Sequence, residues 1–400
     1  MSRRSGFLSF SILGFHVGVY AVQIAPLAAA LQLSPVEIGF AATIASLVGL
    51  TVRLSTGRLI DRLGRRWSLA IGFGGTAIAF VALAAAHSLA TVYVAFILYG
   101  LFISWVDIGA NSLGADLESV LERHVMLPLH ASFSAGAMTG AFLDGLVLSG
   151  GFSFRGSYAV LAIVFVATAV ALCFLQIPVR AVEPVELERG RKPRRAVLLA
   201  DPLVLLCIAM IVVTFYGDSS LESFLSVYLN RTLGATLFLT GLGIALFHAA
   251  SLASRLISTR VLSAIGERAV IVFAGLLAAA GILVSVLVSN PRIALIGLFF
   301  VGFAVAPVVP LVFSLAGRAG GARAGQAIAL TSAFGSAAFI LSPSLVGVIA
   351  SLGGLRMGIG TVAISSLAIA ALGLAWPSRR ARTPQQQQNL STPETKSQQG

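Results

Sequence analysis

Four hundred residues carry 57% hydrophobic side chains, only 10% charged ones and a mean hydropathy of +0.95. That is more apolar surface than the core of a water-soluble domain buries, so a soluble globular protein is excluded and the solvent for this chain is lipid. The formal charge of +12 does not point to nucleic acid, because the basic residues are spread over short loops rather than gathered on one face.

Apolar runs of about twenty residues, each able to cross roughly 30 Å of hydrocarbon as a helix, recur along the chain. They predict about twelve spans, near 6–30, 37–57, 67–86, 91–115, 128–150, 156–177, 202–228, 236–257, 269–289, 292–316, 324–350 and 356–376. Span one is too long, and too polar at His16 and Gln23, for a cleaved signal peptide, so it is expected to stay as a helix. His16, Tyr20 and Gln23 follow at spacings of four and three, which places them on one face. Apart from Arg155, Arg231, Arg292 and Arg356, and Arg53 and Arg255 inside spans, every Lys and Arg falls in the termini or the even-numbered loops. By the positive-inside rule both termini are cytoplasmic.

Between spans two and three lies "GRLIDRLGRR", residues 57–66. Gly64 can take the positive φ of a tight reversal, and Asp61 can cap a helix or pair with an arginine. The arginines also suit any short inside loop. Charges within spans are costly, about 2.5–3.5 kcal/mol each on insertion scales, which singles out Arg53, Asp107, Asp144, Asp218, Glu222 and Arg255. Arg53 and Asp107 lie at similar depth and are expected to pair, or else to line a wet crevice. Asp144 in span five reads as a helix–helix hydrogen-bonding residue. His130 stands at the start of the same span. Asp218 and Glu222, four apart, share a face of span seven near its outer end. Two carboxylates that close repel, which favours a proton on one of them; the alternative is two solvated acids in an outer mouth.

Residues 179–201 are charged and proline-bearing and read as a cytoplasmic linker between an N-terminal six-helix bundle (1–178) and a C-terminal one (202–377). Residues 378–400 form a polar low-complexity tail, expected to be disordered. "RLSTGRLIDRLGRR" at 53–66 aligns without gaps to "RLISTRVLSAIGER" at 255–268, matching Arg53 to Arg255, Gly64 to Gly266 and Arg66 to Arg268; a six-plus-six duplication accounts for it. Cys173 and Cys207 both fall within spans, so no disulfide framework is expected. The chain contains no "HExxH", "GxSxG" or phosphate-binding "GxxxxGK[ST]", so neither an enzyme nor an ATP-driven pump is expected, and no cofactor or metal.

Gly57, Asp61, Arg62, Gly64, Arg65 and Arg66 together resemble the loop signature of the major facilitator superfamily of secondary transporters, and the layout extends that resemblance over residues 6–376. The resemblance implies an all-α fold of two pseudo-symmetric bundles and gives those six residues the role of a cytoplasmic latch between the halves in the outward-open state. It also places spans one, four, seven and ten around a central cavity, so His16, Tyr20, Gln23, Asp107, Asn111, Asp218 and Glu222 become its expected lining. Span ten, with Gly302, Pro307 and Pro310, reads as bendable instead.

A narrower resemblance has two parts: "DIGANSLGADLESVLERHVMLPLHASFSAGAMTGA" at 107–141 resembles a subgroup with Asp-x-x-x-Asn in span four and Glu-Arg in the following loop, and "GDSSLESFLSVYL" at 217–229 is similar to the start of the second half in fucose-permease-like members, with Asp218 and Phe224 where those have Glu and Trp. It points to a small polar solute such as a sugar. Span four lacks the arginine of many proton-coupled members, and span five lacks the Gly-Pro pair usual in drug–proton antiporters. The expectation is a monomeric, proton-coupled transporter of the bacterial inner membrane; the alternative is proton-antiport export of drugs or metabolites.

Overall fold

The computed structural model describes residues 4–55, 57–121, 125–175 and 198–377, without the side chains of 57–62, 119, 127 and 322. Most of the expected linker and the whole tail at 378–400 therefore lie outside the described residues, as do the side chains of Asp61 and Arg62. The regular structure is helical throughout: α1 (Arg4–Ala30), α2 (Pro35–Ser55), α3 (Gly57–Ala85), α4 (Leu89–Leu121), α5 (Met126–Ser149), α6 (Phe154–Phe174), α7 (Pro202–Val227), α8 (Leu237–Leu287), α9 (Pro291–Val305), α10 (Val308–Gly320) and α11 (Ala324–Leu374). A π turn, Tyr228–Thr232, extends α7.

Local sequence sets the helix starts. Ser34 and Glu37 form a reciprocal cap at α2, the Ser34 N–H donating to Glu37 Oε2 at 2.7 Å and the Glu37 N–H to Ser34 Oγ at 3.3 Å. Asp201 accepts from the N–H groups of Leu203 and Val204, with Pro202 at the first helical position.

Ten helical stretches among the described residues are long and apolar enough to cross a bilayer. Two of these stretches each cover two of the expected segments. The eighth and ninth lie in α8 and the last two in α11, each a 51-residue helix interrupted at one glycine. At 1.5 Å per residue 51 residues span roughly 77 Å, far beyond a hydrocarbon core. At Gly354 (φ 82, ψ 164) the chain doubles back, because a Cβ on Gly358 would touch Val346, a residue about 18 Å away along a straight helix. Gly64 (φ 78, ψ 158) and Gly266 (φ 80, ψ 162) share one conformation, closed to most side chains. The expected bend at Pro307 is the break between α9 and α10.

Contacts recur at a shift of 202 positions. Arg65 Nε meets Asp116 Oδ2 at 2.8 Å; Arg318 Nη2 meets Glu267 Oε2 at 2.6 Å, the same pair (65 to 267, 116 to 318) with its charges exchanged. The Arg155 guanidinium donates to Ala84 O near the end of α3, and Arg356, one position short of that shift, donates to Val286 O near the end of α8. Gly39 abuts Pro343 and Ser344 as Gly241 abuts Ala141 and Gly145; Gly347 abuts Pro35 as Gly145 abuts Leu237. These last contacts close one end of the molecule, where α2 crosses α11 and α5 crosses α8, with Thr43 Oγ1 donating to Ile340 O at 2.8 Å. Small residues permit that backbone approach. Gly136 and Gly140, from the motif at 107–141, lie directly on the α1 backbone at Ser11 and Phe15, so part of that motif is a helix-packing face.

Candidate functional site

From the closed end toward the loops rich in arginine, a cavity of about 890 Å³ opens between α1, α5, α7, α8 and α10. A second of about 390 Å³ extends toward α2 and α4, and the two share Val17, Phe133, Phe215, Asp218 and Glu222. Asp218 and Glu222 therefore stand where the cavities join, roughly 15–21 Å along the helix from its end at Thr232. This corrects the expected position near an outer mouth. Among the described residues neither carboxylate makes a hydrogen bond or an ion pair.

Facing them is Arg255 on α8, whose Nη1 donates to Ser134 Oγ on α5 at 2.8 Å. Its repeat counterpart Arg53 has a carboxylate: Arg53 Nη2 stands 3.1 Å from Asp107 Oδ2. The residue 202 positions after Asp107 is Val309, so Arg255 has no such partner, and among the described residues none lies within ion-pair distance. The Arg53 and Asp107 side chains are 52% and 40% exposed, a crevice pair rather than the buried charges expected. Asn111 Nδ2 holds Asp107 through its carbonyl at 2.9 Å and Oδ1 at 3.0 Å. His130 is likewise exposed and lines the larger cavity.

The polar face of α1 is a further correction. Tyr20 and Gln23 are buried and, like Asn111, line neither cavity. His16 borders the smaller one but is 1% exposed. Its Nδ1 lies 2.8 Å from Leu13 O and its Nε2 2.8 Å from the Tyr99 hydroxyl. A carbonyl only accepts, so Nδ1 carries the proton and Nε2 accepts from Tyr99 in a neutral, fully satisfied ring. Tyr20 stacks on Tyr99 with ring centroids 4.9 Å apart. Gln23 donates to both oxygens of Asp144, at 2.9 and 2.7 Å. Packing of α1 against the aromatic side chain of Tyr99 on α4 and against Asp144 on α5 decided these orientations, which helical spacing alone does not reveal.

Arg65 and Arg66 are bound within the first half, to Asp116 and to Leu175 O. Sequence reasoning missed His248 and Ser251, which line the larger cavity with Arg255. Their signal was available, since 248, 251 and 255 fall on one helix face. Among the described residues no three of His, Cys, Asp or Glu converge as a metal site.

Over residues 6–326 and 210–397 the sequence matches the family model of the Major Facilitator Superfamily. The chain belongs to that family, whose members are membrane transporters rather than enzymes. An uncharacterized MFS-type transporter of Yersinia pestis is 26% identical over 371 residues, covering 91% of this chain and 93% of its own. Membrane protein MosC of Rhizobium meliloti is 24% identical, covering 77% and 73%. Two solved structures share the fold at TM-score 0.71 and 13% identity: a bacterial homolog of the human lysosomal transporter Spinster, in an inward-facing and occupied conformation, covering 93% of this chain and 95% of that one, and a point mutant of the nucleoside transporter NupG, covering 93% and 97%. The protein is thus a multi-pass secondary transporter of the cell membrane.

Proposed function

We propose that the chain moves a small polar solute by alternating access, with proton coupling, through twelve spans arranged as two six-helix bundles at 1–178 and 202–377. The observation that carries this reading is the cavity between the repeats, into which Asp218 and Glu222 present carboxylates that make no hydrogen bond or ion pair among the described residues, and Arg255 a guanidinium without its repeat's acid. Charged groups left open at a repeat interface near the membrane midplane suit recognition of a polar solute. The sequence likeness to fucose-permease-like members favours a sugar or related metabolite. With both termini cytoplasmic, the closed end at Gly39, Gly145, Gly241 and Gly347 is the outer one, and the state is inward-facing. Gly57, Asp61, Arg62, Gly64, Arg65 and Arg66 then serve as the latch formed when the inner end closes.

The walls also carry Phe133, Phe215, Phe247 and Phe313, and this apolar lining favours a second reading, export of an amphipathic metabolite or drug by proton antiport. Reconstituted vesicles with an imposed proton gradient separate the two. Accumulation of a labelled sugar, amine or carboxylate with the gradient supports solute symport, and expulsion of an aromatic cation against it supports the second reading. Absence of gradient-driven movement for every member of a panel spanning these classes overturns both.

A further inference from the structure

Asp144 is 5% exposed, on α5, and lines neither cavity. Its described surroundings contain no cation. From α1 come Gln23, which supplies one amide nitrogen to both carboxylate oxygens, and Tyr20 beyond it. From α6 come Ser157, whose hydroxyl is within reach of the carboxylate, and its neighbour Tyr158, which feels the carboxylate's charge through space. Where α8 crosses, Gly145 meets Gly241 and Leu237. The nearest arginine in sequence, Arg155, is turned to Ala84 O.

Beside the two carboxylate oxygens, three buried side-chain oxygens of the same neighbourhood lack hydrogen-bond partners: Gln23 Oε1, Ser157 Oγ and Tyr158 OH, all on side chains at most 4% exposed. With the Gln23 amide as the one donor in full hydrogen-bond geometry and the Ser157 hydroxyl only near the carboxylate, an ionised Asp144 in apolar surroundings is incompletely compensated, and neighbouring hydroxyl and amide oxygens are ligands that a small hard cation takes. The second half shows that the fold does not need this polarity. Gln23 and Asp144 correspond to Leu225 and Val346, and, in the register set by Arg155 and Arg356, Ser157 and Tyr158 correspond to Gly358 and Ile359. Leu225, Val346 and Ile359 are buried, and Gly358 lies against Val346. The same architectural position is therefore filled by apolar packing in one repeat and by an incompletely compensated acid with free oxygens in the other.

We propose that Asp144, Gln23, Ser157 and Tyr158 form a binding site for a small monovalent cation, sodium or a proton, separate from the solute cavity. With a cation on the carboxylate the Gln23 amide can turn so that Oε1, now unpartnered, accepts or coordinates. The adjacent crossing of Gly145 over Gly241 covers the site when the outer end closes, so an ion held there is occluded in this state. The site gives the transporter reading its coupling ion, yet binding is measurable without transport, so either can fail while the other stands.

The test follows thermal unfolding of the full chain in lipid nanodiscs, with sodium chloride exchanged for choline chloride at constant ionic strength, at pH 6 and pH 8. Ligand binding to the folded state raises the midpoint by mass action, here by roughly 3–6 °C. A rise with sodium assigns that ion, and a rise only at pH 6 assigns the proton. Either response is expected to vanish in Asp144→Asn and in the double variant Gln23→Leu with Asp144→Val, which copies the second half's packing and keeps the fold testable. Tyr158→Phe is expected to weaken sodium several-fold while leaving a proton response intact. A wild-type midpoint indifferent to both ions, or a response unchanged in the Asp144 variants, overturns the proposal.

Discussion

Arg318 grips Glu267 through two nitrogens, at 2.6 and 3.1 Å, in the place where the first half has Asp116 and Arg65 at 2.8 Å. The two halves thus use one electrostatic joint with opposite polarity. The side chains of Arg65 and Asp116 are 18% and 6% exposed, so removing one partner strands a nearly buried charge, at a cost of about 3–5 kcal/mol. Arg65→Glu is expected to lower the thermal midpoint strongly. Adding Asp116→Arg, which reproduces the polarity of the second half, is expected to restore most of the loss, as read by unfolding in detergent.

Substitution at Gly64 or Gly266 tests the backbone rather than the charges. Their φ and ψ fall in a region open essentially only to glycine, which costs an L-residue about 1–3 kcal/mol, and a Cβ at either position meets nothing within 4 Å. Gly64→Ala and Gly266→Ala are therefore expected to destabilise by similar amounts, visible as matched downward shifts of the unfolding midpoint. A large difference between them would contradict their shared geometry.

Among the described residues Asp218 and Glu222 have no hydrogen bond or ion pair to lose. Asp218→Asn and Glu222→Gln are expected to leave the unfolding midpoint within a degree or two and to cut solute uptake at least tenfold. Arg255→Gln is expected to do the same to solute affinity, because its tie to Ser134 is a single hydrogen bond. His16→Phe is the contrast case: it strands the Tyr99 hydroxyl and Leu13 carbonyl inside the packed core, so stability falls by about 1–3 kcal/mol before any transport step is touched.

Gly241 lies against the backbone of Gly145 and Ala141, leaving no room for a side chain at the closed end. Gly241→Leu is expected to wedge α5 from α8 and hold that end open. A cysteine introduced by Ala21→Cys, on the cavity wall, then becomes reactive toward an impermeant thiol reagent added from outside, while the same cysteine in a chain that keeps Gly241 stays protected.

The apolar, membrane-spanning character of the helices was legible in the sequence because lipid demands a run of about twenty apolar residues for every crossing. The kinship of Gly64 and Gly266 was equally readable, since a backbone requirement met by glycine leaves its mark at one position. Which neighbour a polar face meets was not legible. His16, Tyr20 and Gln23 share a helix face, yet only the packing of α1 against α4 and α5 turned them into the core, while His248, Ser251 and Arg255, on a span given no such face, line the cavity. Periodicity fixes direction around a helix's own axis; the rotation of that axis toward solvent, cavity or another helix is set by contacts distant in the chain. The same limit hid the orphaned oxygens around Asp144, which come from α1 and α6 and meet the carboxylate only after the bundle has closed.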